Sequence, residues 1–147
     1  MKLFPTTLAV ATAAVAMAFS SCSSVNGLTP EKLSGEWNVT LLEGESITPA
    51  ENTPFVGFDL SRKRLYGFTG CNRIMGEADI NAMIEGKADF TKVSTTMMAC
   101  PDDKYERKFL SAFSRVKKAV AGKSVIKLVD ADGKTVMELT SKKEKAQ

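Results

Sequence analysis

Three cysteines and no histidine set the limits on chemistry in this 147-residue chain. Without histidine, serine–histidine–acid and cysteine–histidine catalysis are closed, and so is the commonest ligand for zinc or copper. What remains is sulfur. Two of the cysteines stand in a patterned region: GFTGCNRIMG at 67–76 sets Gly67, Gly70 and Gly76 around Cys71-Asn72, and TTMMAC at 95–100 ends on Cys100. Glycine takes positive φ without steric cost, and asparagine tolerates it better than most residues. Such a run describes a backbone driven through one tight path. It ends without the Gly-Lys-Ser/Thr of a phosphate loop.

Cys71 and Cys100 read as a structural disulfide, which a chain bound for an oxidising compartment would keep. The rival reading is a reactive thiol, since Cys100 lies just before an expected helix N-terminus, where thiolate is favoured. No Cys-x-x-Cys supports it. Asn72, Arg73 and Met75 are candidates for an exposed recognition patch, with Asn72 alternatively tying its own turn together by side-chain hydrogen bonds. Met75, Met83, Met97 and Met98 could form a soft-metal site with Cys100, but methionine is more often core filler, and no metal or cofactor is expected. Asp130 and Asp132 echo a calcium loop without its closing glutamate, so a hairpin turn is expected there.

These residues need elements to position them. Thr29-Pro30-Glu31 starts a one-turn helix that Gly35 stops. Residues 36–42 alternate with Trp37, Val39 and Leu41 on one face, a half-buried strand in which Trp37 plugs the end of a small core or, alternatively, closes a ligand-binding barrel. Strands at 55–60 and 64–68 form a hairpin across Ser61-Arg62-Lys63. Weaker strands are expected at 76–83 and 87–95. An apolar stripe of Tyr105, Phe109, Ala112, Phe113, Val116 and Val120 predicts one main helix over 103–121, with Asp103 and Glu106 as a capping box. Lys104, Lys108, Arg115 and Lys118 then form its solvated face. A terminal hairpin at 124–129 and 135–140 turns at Asp130–Gly133. The fold class is α+β: a curled, mostly antiparallel sheet or small open barrel of about seven short strands, with the helix packed against it or closing one end.

Lys2 and the short apolar run at 8–19 form a signal-peptide core, too short to span a bilayer. It ends at Ser20-Ser21-Cys22, a relaxed lipoprotein box, so Cys22 is the expected lipidation site, with plain signal cleavage as the alternative. The division is then a signal peptide at 1–21, a tether at 22–28, one domain at 29–140 and a charged tail at 141–147. With Lys2 removed, 19 basic residues face 17 acidic ones, too near neutral to suggest nucleic acid.

Taken together, Leu33–Trp37, the Gly-Cys-Asn stretch at 67–76, the Met-Ala-Cys echo at 98–100, the helix with Glu106, Phe109 and Leu110, and the final Asp-Gly hairpin resemble the META domain family of HslJ-like, heat-shock-associated lipoproteins. Met98 departs from the pattern, since a basic residue is common there. The resemblance implies an envelope or secreted single domain tied to stress tolerance, and no shared catalytic activity. The expectation is therefore a non-catalytic binding or stress-support protein. It would be lipid-anchored in the cell envelope, on the outer membrane facing the periplasm, with the membrane and an envelope protein as partners. A carrier with a cavity lined by Phe55, Phe58, Tyr66 and Phe90, and a thiol redox protein at Cys71/Cys100, are the alternatives.

Overall fold

The computed structural model describes residues 26–142. The signal segment, Cys22 and most of the charged tail lie outside those residues.

One antiparallel sheet carries the fold. Its strands are β1 (Gly35–Leu42), β2 (Glu45–Ser46), β3 (Phe55–Asp59), β4 (Arg64–Phe68), β5 (Arg73–Glu77), β6 (Ser94–Thr95), β7 (Lys118–Ala121), β8 (Val125–Val129) and β9 (Thr135–Ser141). The order is β6-β5-β4-β3-β1-β9-β8-β7, with β2 paired to β1. The sheet curls without closing. Val39, Val56, Phe58, Leu65, Ile74, Leu128 and Leu139 fill its concave side, the inward half of the period-two alternation.

Among the described residues, three helices finish the core. The first, α1 (Pro30–Leu33), is capped by the Thr29 hydroxyl accepting from Lys32 N–H, which matches the Thr-Pro-Glu signal. The second, α2 (Ile80–Ile84), follows β5, and α3 (Glu106–Arg115) lies across the far end of the curl, inserting Phe109, Ala112 and Phe113. Phe90 stacks on Phe113 with ring centroids 4.4 Å apart. The fold is thus α+β with an open barrel, as the patterning indicates.

Several boundaries differ from the sequence reading. The main helix spans 106–115 and not 103–121, because Val116 turns extended and Lys118–Ala121 pairs with β8 as a strand. Ala119 is buried there and Val120 exposed, so period two replaces the helical stripe. Asp103 forms no capping box: the cap position is Tyr105, which makes no side-chain cap bond. Within the expected strand at 76–83, Asp79 caps α2 by accepting from Ala82 N–H. Of the strand at 87–95 only β6 is regular.

Asn26, assigned by its polarity to the tether, belongs to the fold. Its side-chain amide donates to Met83 O at 2.9 Å and Ala119 O at 2.7 Å, while its backbone carbonyl accepts from Ala121 N–H. Ala88 N–H donates to Lys117 O alongside. The open seam between α2 and β7 is thus bridged by one asparagine side chain and one backbone bond, where ladder bonds would close a true barrel. Asn26→Ala removes the donor to Ala119 O and one of the donors to Met83 O, which keeps Gly86 N–H, and should cost about 1–3 kcal/mol in urea unfolding. An unchanged midpoint would show that the seam does not depend on it.

Candidate functional site

The two sequence motifs meet at one end of the curl. The β4–β5 connection runs Thr69-Gly70-Cys71-Asn72, closed by Thr69 N–H donating to Asn72 O at 2.8 Å. Gly70 sits at φ 102°, a conformation that strains any side chain. The Thr69 hydroxyl oxygen accepts from Asn72 N–H at 2.9 Å and Cys71 N–H at 3.3 Å. The turn is therefore built by glycine and threonine.

Asn72 works outward from that turn. Its side chain is buried, 3 % exposed. The amide nitrogen donates to Glu106 Oε1 at 2.7 Å and Met98 O at 3.1 Å, and the oxygen accepts from Met98 N–H at 2.7 Å and the Thr96 hydroxyl at 2.8 Å. All four hydrogen-bonding positions of the amide are filled. Cys71 is bonded to Cys100 across a separation of 29 residues, Cα to Cα 5.9 Å. Turn, loop 95–100 and the first turn of α3 form one unit. Asn72 neither presents an exposed patch nor ties only its own turn.

The outcome for the loop is specific. Thr96 N–H donates to Arg73 O at 3.0 Å, and Met98 and Cys100 are held as above. Between these fixed points, Met97 is 95 % and Met98 62 % exposed. Met97 and Met98 are thus neither core filler nor grouped with the buried Met83.

The other candidate residues fall elsewhere. Trp37 is buried at the opposite end and donates its indole N–H to Leu33 O at 3.0 Å. Arg73 and Met75 are exposed on the convex face, with Met75 opposite Tyr66 in register. The Tyr66 ring lies flat over Gly57, where a Cβ would come within 2.3 Å of it. Burial, then the neighbouring Glu36 charge and its hydrogen bond, raise the Tyr66 phenol above its ordinary value. Phe58 and Phe90 point into the core, whereas Phe55 meets Tyr66 edge-on at 6.5 Å on the outer face. The four aromatics expected to line one cavity are therefore split between the two sides of the sheet. The concavity beside Tyr66, Met75 and Arg64 is an open groove of about 780 Å³.

Among the described residues no group of three or more His, Cys, Asp or Glu is placed to hold a metal. Of the two Ser-x-x-Lys spacings, 114–117 and 124–127, Ser114 donates to Ser111 O and Lys127 pairs with Glu138. Asp130 accepts from Asp132 and Lys134 N–H within the β8–β9 turn, an Asx turn and not a calcium loop.

Fold and site together define a small helix-capped, disulfide-braced open β-barrel that presents a fixed surface loop. The chain belongs to the META domain family, whose profile matches residues 31–143. No curated protein matches it. Among solved structures it is similar to a protein determined by NMR at 19 % identity and TM-score 0.61, covering 77 % of this chain and 94 % of the other. It is also similar to a Burkholderia xenovorans protein, again by NMR, at 21 % identity and TM-score 0.57, covering 97 % and 99 %. At these identities the likeness concerns the fold.

Closing a loop of this length restricts the unfolded chain by about 3–4 kcal/mol, so reduction should lower stability by that order. Asn72→Ala leaves Met98 N–H and Glu106 without their partner and should cost about 2–4 kcal/mol. Asn72→Asp, of equal size, should be comparably damaging, because it turns a donor into a carboxylate facing Glu106. Urea unfolding of either variant at the wild-type midpoint would contradict this account.

Proposed function

We propose that this protein is a non-catalytic binding module of the cell envelope. In this reading it is lipid-anchored through Cys22 on the outer membrane facing the periplasm, and supports a protein partner under stress. The signal segment with its Ser-Ser-Cys box supports the anchor, and the family membership supports an envelope role. The observation that carries the binding reading is the pair Met97-Met98. An apolar side chain 95 % exposed on a loop of pinned backbone is a preformed contact, so little ordering entropy opposes association. Methionine suits such a surface because its unbranched, polarisable chain adapts to varied partners. Beside it, β6 is the terminal strand of the sheet order, where a partner strand could add by backbone bonds.

The test replaces both side chains in the full-length protein. Met97→Asp/Met98→Asp should leave unfolding within about 0.5 kcal/mol of wild type, as befits exposed sites. It should fail to restore stress tolerance to a deletion strain. A photo-crosslinking residue at 97 should capture a partner that the same residue at the exposed position 107 does not. Full complementation by the double variant would overturn the assignment of the loop.

A further inference from the structure

The strands give the domain two unlike ends. Loop 95–100, the disulfide and α3 occupy one. The other gathers α1, the β3–β4 turn with Arg62 and Lys63, the start of β4 at Arg64, the β7–β8 turn with Lys123, and the end of β9. Asn26 lies at this second end, fixed through four hydrogen bonds to Met83, Ala119, Ala121 and Leu28. Only residues 23–25 separate it from an acylated Cys22.

That leash is short. The four steps from Cys22 to Asn26 reach at most about 14 Å when fully extended, while the polar headgroup layer on each side of a bilayer is about 5–8 Å deep. A domain of this size cannot turn its far end toward the membrane on such a leash. We infer that the α1/β3–β4/β7–β8 end of the domain docks on the phospholipid headgroups, with Lys63, Arg64 and Lys123 facing lipid phosphate and the Met97-Met98 loop held away from the bilayer. This rests on the lipid-anchor reading above.

The charges agree with that placement. Lys63, Arg64 and Lys123 are exposed and make no ion pair with another described residue, whereas Arg62 is held by Asp59 and Lys142 by Glu36. Glu31, Glu77 and Asp79 share this end, so its net charge is small. The leash brings the cations to the headgroups, and phosphate then attracts them over a distance comparable to the screening length.

Trp37, the single tryptophan, reports on this end directly. Its indole points back to Leu33 O and lines a hollow of about 300 Å³ with Lys32, Ser34 and Lys123. The full-length lipoprotein would be reconstituted in phosphatidylethanolamine/phosphatidylglycerol vesicles with and without a headgroup-nitroxide lipid, after its mass is measured for acylation. The expected result is an acylated protein whose Trp37 emission is strongly quenched by the nitroxide. Inserting twenty Gly/Ser residues after Ser24, a linker averaging about 25 Å, should relieve most of that quenching. Lys63→Gln/Arg64→Gln/Lys123→Gln, with native circular dichroism, should relieve part of it. An acylated, vesicle-bound protein with unquenched Trp37 would overturn the docked orientation and leave the anchor standing. A triple variant quenched like wild type would overturn the role of the cations. An unacylated protein would overturn the anchor and the inference together.

Discussion

A single buried amide organises the far end of this molecule. Asn72 is the junction at which a hairpin turn, a distant loop and the start of a helix are held in one geometry. Only a carboxamide offers two donors and two acceptors on one short side chain. Its donors face a carboxylate and a carbonyl, and its acceptor faces an N–H and a hydroxyl. Aspartate would set like charge against Glu106, and leucine would leave several polar groups unmatched in a buried place. The disulfide beside it acts differently. It narrows the unfolded ensemble, while Asn72 specifies the folded geometry. The glycines answer local needs: Gly70 sits at positive φ, and a Cβ at Gly67 would run into Phe55 O.

The rest of the fold makes this junction affordable. A curled sheet of short strands cannot bury both ends of its core by itself, so α3 covers one and α1 with Trp37 the other. The seam is bridged by Asn26, which draws the beginning of the described chain into the structure. Two asparagines thus perform parallel tasks at opposite ends: one spans the open seam, the other braces the loop. The separation of the ends also separates the roles proposed for them, attachment on one side and contact on the other.

Much of this was legible in the residues. The Thr-Pro-Glu helix start, the hairpin at 55–68 and the Asp-Gly turn follow local chemistry that tertiary context did not overrule, and the pairing of Cys71 with Cys100 across 29 residues follows from there being one other cysteine in the domain to meet. What misled was continuity of pattern. Val116 and Val120 extend the helical stripe of α3, but pairing with β8 outweighs a weak local preference, and the chain changes period between them. Asp79, placed to cap, and Gly86, at φ 89° after α2, were the signals for that helix, hidden inside an imperfect alternation. The outward network of Asn72 could not be read at all, because its partners Glu106 and Met98 lie 34 and 26 residues away. Asn26 escaped notice for the same reason: polar residues after a signal segment resemble a linker until their distant partners are known.

The central claim is that loop 95–100 is a rigid platform although its side chains are exposed. Native-state hydrogen exchange at the Met98 amide, which donates to Asn72 Oδ1, tests this most directly. If the account holds, that amide exchanges only through large-scale opening, with protection close to that of the core strands and far above the amide of Met97 beside it. Exchange of Met98 at the rate of an open surface loop would contradict it, because the loop would then be merely tethered at Cys100 and not braced.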